Sequence, residues 1–477
     1  MRVQTLVIGQ SLHRMLFSLM LSCGALLPVI ALAQAPTRSF PSDSAVLAII
    51  KQRVEEKRSA GIVVGMVDKS GRTRVVAFGD PGPGQPPLDG QSVFEIGSVS
   101  KVFTGTLLAQ MVLEKKVALD DPVQKFLPST VRVPTRNGKQ ITLGMLSSQN
   151  SGLPRLPSNL RPKDNTNPYA DYTVQRLYDF LSGYTLARDP GELFEYSNLG
   201  VGLLGHALSL AAGTSYEALL RERIFSPLRM TNSAITLSPW MKSHLALGHD
   251  EQGKVVSLWD LPTLAGAGAI RSTMDDMLKF MTANLHPERG AIGKAMAFAH
   301  EARASAGGPN VSIGLNWITQ RAGADTIVWH NGGTGGYRTF AGFEPSTGMA
   351  VVVLTNSGGA GADDIGMHLL APTLPLTPKP ASKKQRTAIV LAEGVLEPYV
   401  GLYQLSPEFA IEITRKGAAL FSQATGQGVL QLWPESVTDF FLKEVDAQLT
   451  FVRDAQGTVT GLVLHQGGAN TPAKKVR

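Results

Sequence analysis

The stretch FEIGSVSK, Phe94 to Lys101, places a lysine three residues after a serine at the start of an apolar run. The residues that follow, VFTGTLLAQMVLEKK, read as an amphipathic helix, with Val102, Phe103, Leu107, Leu108, Met111 and Val112 near i, i+3, i+4 and i+7. Residues three apart share a helix face, so Ser98 and Lys101 can touch. Ser98 would lie in the first turn, where free backbone N–H groups and the positive end of the dipole favour a developing alkoxide. A lysine held in an apolar wall loses proton affinity, because desolvation disfavours its charged form. Such a lysine can take a proton from serine. A capping serine beside a solvated lysine would give the same pattern, so the rest of the chain must decide.

At 477 residues, with 43% hydrophobic and 17% charged residues, the chain is globular and long enough for about three domains. Its net charge is +7, but the richest basic stretch, KPASKKQR at 379–386, lies among prolines. A dispersed basic surface follows, not a nucleic-acid-binding one. Arg2, His13 and Arg14 precede the apolar run MLFSLMLSCGALLPVIALA, which ends in Ala31-Leu32-Ala33 before Gln34. That is the layout of a cleavable secretory signal over residues 1–33, which predicts a periplasmic or secreted protein without a membrane anchor. Cys23, the only cysteine, lies inside it, so the exported chain would hold neither disulfide nor catalytic thiol.

A helix is predicted from Ser44 through VLAIIKQRVEEKR, then strands at 61–68 and 73–80 around the Lys69-Ser70-Gly71 turn. Helical patterns fill residues 120–300. Strand patterns return with VSIGLNWITQ (311–320), TIVWH (326–330), YRTFAGFEP (337–345) and MAVVVLTN (349–356). Hairpins at the two ends of this region cannot bury their faces alone. One antiparallel sheet assembled from both ends, with helices on and beside it, is the economical solution. The proline-rich stretch at 371–389 reads as a linker. Beyond it, EFAIEITR, AALFSQ, GVLQLWP, DFFLKEV, AQLTFVRD and GTVTGLVLHQ predict a separate all-β meander or barrel at 390–477.

Ser98–Lys101 is the only S-x-x-K in the chain, and Tyr196-Ser197-Asn198, within PGELFEYSN, is the only Y-x-N. His330-Asn331-Gly332 follows in HNGGTGGYR at the end of an apolar strand, although His465-Gln466-Gly467 has the same spacing. Each element alone is weak; their order and the strand-to-glycine context of the third set them apart. Gly248 to Lys254 imitates a phosphate loop, but Val255 stands where serine or threonine must bind magnesium. The chain has no H-E-x-x-H and no G-x-S-x-G, and its histidines lack metal-ligand spacing.

These motifs resemble those of the class C serine β-lactamases and the related penicillin-recognising D,D-peptidases and esterases, over residues 45–365. FEIGSVSK corresponds to the nucleophile signature, PGELFEYSN to the second motif and HNGGTGG to the third. The resemblance implies the β-lactamase/transpeptidase-like α/β fold over residues 34–370, with no metal or cofactor. It implies Ser98 as the nucleophile of an acyl-enzyme, with Lys101 and Tyr196 sharing acid–base work. A phenol has a pKa of about 10, so Lys101 would be needed to keep Tyr196 partly ionised. Asn198 would bind Lys101 and the substrate amide, and the N–H groups of Ser98 and Gly333 would form the oxyanion hole. Gly332 and Gly333 would let a substrate lie edge-on along the strand.

His330 departs from the β-lactamase branch, where a lysine supplies a fixed charge. A histidine with a pKa of about 6.5 would be mostly neutral at pH 7 and would gain charge as pH falls. Arg338 would then be a substitute cation for a substrate carboxylate. The implied substrates are β-lactams or D-Ala-D-Ala-type peptides, with D-aminopeptidase or short-chain esterase activity and an acylated, non-hydrolysing penicillin sensor as alternatives.

Overall fold

The computed structural model describes residues 38–359, 361–379, 386–406, 409–425, 428–466 and 469–477. Residues 1–33, with the expected signal and Cys23, lie outside them. Two compact units divide at Thr377/Pro378.

In the first unit, β1 (Gly61–Val67) and β2 (Thr73–Gly79) form the expected N-terminal hairpin, and β3 (Val93–Glu95) pairs with β4 (Arg271–Thr273) in a separate two-stranded sheet. The later strands are β5 (Ala304–Gly308), β6 (Val311–Ile313), β7 (Ile318–Ala322), β8 (Asp325–Gly333), β9 (Arg338–Glu344) and β10 (Met349–Thr355). They join the hairpin in an eight-stranded sheet ordered β2-β1-β10-β9-β8-β7-β6-β5. The two ends of the region meet at β1 and β10, antiparallel, with Ile62 opposite Thr355 and Val67 opposite Ala350. Every residue of both strands is buried. They therefore read as continuous apolar runs, as strands covered on both faces do.

The strand period of two sorts β1 between two cores. Val63 and Val67 face the large helical core, whereas Ile62, Val64 and Met66 face the helices Asp43–Glu55 and Asp363–Leu370. Each such aliphatic side chain contributes about 1.5–3 kcal/mol on full burial. Ser42 caps the first of these helices by accepting a hydrogen bond from the Ala45 amide at 3.3 Å.

Two expectations need correction. VSIGLNWITQ is not one strand: β6 and β7 are separated by a turn in which Asn316 has φ +64°. At Gly314, a Cβ would lie 2.3 Å from the Ala299 carbonyl oxygen. The helix following Ser98, Ser100–Leu113, is not amphipathic: Ser100 to Ala109 and Met111 are all buried. Phe103 stacks on Phe280 at 3.9 Å on one side, and Gly105 approaches the Leu315 carbonyl so closely that a Cβ would sit 2.1 Å from it. The polar members of this helix are thus taken out of water, Lys101 among them.

In the second unit, β11 (Gly401–Ser406), β12 (Phe409–Lys416), β13 (Ala419–Ala424), β14 (Val429–Pro434), β15 (Asp439–Phe441), β16 (Ala447–Arg453), β17 (Val459–Gln466) and β18 (Ala469–Lys475) close into an antiparallel barrel. The six expected segments supply β12 to β17. Pairing of Tyr403 with Lys475 closes the ring through β11 and β18. Tyr399, Tyr403, Phe440 and Phe451 pack inside, with Tyr399 and Phe451 rings 4.3 Å apart.

Candidate active site

Ser98 sits in a 3-10 turn, Gly97–Val99, that runs directly into the helix Ser100–Leu113. The turn is fastened to its surroundings: the Ile96 amide donates to Ile270 O at 3.0 Å, and Thr339 Oγ1 on β9 donates to Ile96 O at 2.8 Å. Gly97 has φ +50°, and a Cβ there would lie 2.6 Å from the Gly333 amide nitrogen. Only glycine allows this approach. It brings the amide-bearing end of β8 against the residue preceding Ser98.

Three short hydrogen bonds fix Lys101. Its Nζ lies 3.0 Å from Ser98 Oγ, 2.8 Å from Asn198 Oδ1 and 2.6 Å from the Ala267 carbonyl oxygen. Complete burial, then the charge of Arg155, holds its pKa well below the ordinary lysine value. A neutral amine has two hydrogens and one lone pair. Ala267 O and Asn198 Oδ1 can only accept, so they take both hydrogens and the lone pair is left for the Ser98 hydroxyl. Lys101 is therefore set as a base towards Ser98.

Asn198 opens the helix Asn198–Ala212. The preceding Ser197 caps it, accepting from the Gly200 amide at 2.8 Å and donating to Pro154 O at 2.7 Å. The Asn198 side chain also lies against the Tyr169 hydroxyl and tempers the rise that burial gives its pKa. The Tyr196 hydroxyl faces the Ser98 side chain. Lys101 Nζ lies 4.9 Å from the centre of the Tyr196 ring, and the Arg155 guanidinium 5.1 Å.

On the far side of Ser98, β7 pairs with β8 only as far as Ile318 opposite Trp329, whereas β9 continues along β8 to Arg338 opposite Gly333. Among the described residues, 330–333 thus keep an edge without a strand partner, beside the nucleophile turn, where an extended substrate can add.

A family model described as Beta-lactamase matches residues 46–371. The chain is a serine hydrolase of the beta-lactamase family. It is 30% identical over 318 residues to the D-alanyl-D-alanine-carboxypeptidase/endopeptidase AmpH of Escherichia coli (strain K12), covering 63% of this chain and 80% of that one. It is 25% identical over 340 residues to a Beta-lactamase of Pseudomonas fluorescens, covering 64% and 91%. A crystal structure of a Beta-lactamase/D-alanine Carboxypeptidase from Yersinia pestis complexed with citrate matches with TM-score 0.59 and 26% identity, over 66% of this chain and 92% of that one. A second model, a domain of unknown function (DUF3471), matches residues 385–474.

The site of this beta-lactamase family member differs from the expectations in two protonation states. Tyr196 is not partly ionised. Its ring is partly exposed, but burial around the hydroxyl pushes its pKa up to about 12, outweighing the opposite pull of Ser98 and of the Arg155 charge. The ammonium expected to stabilise a phenolate is itself disfavoured, because burial holds the Lys101 pKa well below its ordinary value. Tyr196 therefore carries its proton and serves as a donor.

His330 is the second correction. It is 1% exposed, and burial pushes its pKa down to about 3, with a smaller contribution from the charge that Lys101 takes on in acid. Nδ1 lies 2.6 Å from Asn331 O, which can only accept, so Nδ1 carries the proton and Nε2 a lone pair. The histidine is neutral at pH 7, and it gains no charge near pH 6.5. His330→Gln should accordingly leave the acid limb of the pH profile for kcat/KM in place. A limb displaced by a full unit would return titration to His330.

Arg338 does reach the end of β8, since a Cβ on Gly333 would meet its Nη1 at 3.2 Å. Its Nη1 is already committed, donating to Thr334 O at 2.7 Å and Tyr337 O at 2.9 Å. Gly332 is enclosed, whereas Gly333 is exposed. Sequence reasoning missed the Ala267 carbonyl, Tyr169 and Arg155. A backbone acceptor leaves no mark in a sequence, and the other two stand 27 or more residues from the motif they serve.

Proposed function

We propose that the protein hydrolyses amide bonds of the β-lactam and D-alanyl-peptide type through an acyl-enzyme on Ser98. The observation that carries this reading is the placement of the buried Lys101 Nζ 3.0 Å from Ser98 Oγ, with Asn198 Oδ1 and Ala267 O as acceptors for the two hydrogens of a neutral amine. Ser98 Oγ attacks the carbonyl carbon while Lys101 takes its proton. The carbonyl oxygen gains charge against the Ser98 and Gly333 amides. As the C–N bond breaks, Tyr196 donates its proton to the departing nitrogen and recovers one from Lys101. Water then repeats the sequence on the ester, with Ser98 as the leaving group. A neutral His330 gives no fixed positive charge at the third motif, and the 30% identity to a D-alanyl-D-alanine-carboxypeptidase/endopeptidase supports peptide substrates.

Purified protein tested on a chromogenic cephalosporin, a D-Ala-D-Ala peptide and a short-chain ester should release D-alanine with a higher kcat/KM than either alternative reaction. Ester cleavage alone would refute the assignment. Export by cleavage after Ala33 belongs to the same proposal; a protein recovered from the periplasm should begin at Gln34.

A further inference from the structure

We propose that Arg155 reads an anionic group on the acyl side of the substrate, making this enzyme selective for acyl donors that carry a carboxylate there. The inference deepens the acyl-enzyme reading above and rests on it.

The backbone of Arg155 is pinned to the catalytic helix. Its carbonyl accepts from the Asn198 amide at 3.0 Å and the Leu199 amide at 3.2 Å, while the Pro154 carbonyl accepts from Ser197 Oγ at 2.7 Å. The loop therefore cannot drift from the site. The side chain, in contrast, is exposed, and its guanidinium lies over the Tyr196 ring, 5.1 Å from its centre. Among the described residues it has no ion-pair partner. Its charge is nevertheless felt at Lys101, Tyr169 and Tyr196. Arg338 makes the contrast: its guanidinium is half-buried, bound to two carbonyls, and faces Glu251 and Asp363. Arg155 is thus an uncommitted cation over Tyr196. Its carbonyl is bonded to the amide of Asn198, the residue assigned to the amide of the acyl donor. A planar guanidinium resting on an aromatic face keeps its edge N–H groups for a carboxylate.

Three penicillins of one scaffold test this: benzylpenicillin, carbenicillin with an added side-chain carboxylate, and ampicillin with an ammonium at that carbon. The second-order rate of Ser98 acylation is read by intact mass, so turnover is not required. In Arg155→Gln, the carbenicillin-to-benzylpenicillin rate ratio should fall roughly threefold to fivefold, the size expected of a solvent-exposed ion pair. Arg155→Lys should restore most of it, and raised salt should shrink the wild-type ratio. Arg155→Glu should raise the ampicillin-to-benzylpenicillin ratio. Losing Arg155 also relaxes the pKa of Lys101, but that change acts on all three compounds and cancels in the ratios. Unchanged ratios in Arg155→Gln and Arg155→Glu, with benzylpenicillin still acylating, would overturn the role of Arg155 and leave the acyl-enzyme standing. No acylation of the wild type by any of the three would overturn both.

Discussion

Lys101→Met should lower the rate of Ser98 acylation about a thousandfold, the scale of a lost general base. Methionine fills nearly the same buried volume but offers no lone pair. The fold should persist, although Asn198 Oδ1 and Ala267 O lose their donor. The variant also tests the protonation state. With the folded pKa of Lys101 held below its ordinary value of 10.5, the unfolded chain binds a proton that the folded one does not. Stability conferred at this position therefore rises with pH between those two values, by about 1.4 kcal/mol per unit for one proton. Below the folded pKa the slope vanishes. Wild type should gain stability over Lys101→Met in urea denaturation as pH rises from 7 to 9.5. A difference that stays flat over that interval would mean that Lys101 is charged in the folded protein, and the base assignment would fail.

The second large effect should come from Gly332→Ala. A Cβ at this position would lie 2.1 Å from Ile96 O and 2.3 Å from Thr339 Oγ1. The first is backbone and cannot swing aside, so β8 must separate from the nucleophile turn. Misplacing one oxyanion donor costs about 3–4 kcal/mol, and acylation should fall roughly a hundredfold to a thousandfold. Gly333→Ala meets only the far end of Arg338, at 3.2 Å, and should lose much less. Equal losses in the two variants, measured by acylation kinetics, would show that the β8 edge is not held by this contact.

The strands of the central sheet were legible because β1 and β10 are continuous apolar runs that can only be covered on both faces. The catalytic groups were legible because Ser98, Lys101, Tyr196, Asn198 and the glycines carry their chemistry in residue type and short spacing. What escaped depends on distant packing. The helix after Ser98 looked amphipathic because Thr104, Thr106 and Lys101 are polar, yet each is buried and hydrogen-bonded. The same enclosure reverses the expected proton on Tyr196 and removes the titration of His330, since burial is a property of neighbours from several elements. Closure of the barrel was hidden for a simpler reason. Its last strand, ANTPAKK, is mostly exposed and contains proline, and carries no apolar alternation.

Intact-mass analysis after incubation with benzylpenicillin, followed by mapping of the modified peptide, tests the central claim most directly. Wild type should gain the mass of one penicilloyl group, on Ser98, and Ser98→Ala should gain none while keeping its melting temperature within a few degrees. Undiminished labelling of Ser98→Ala would place the nucleophile elsewhere and contradict the account.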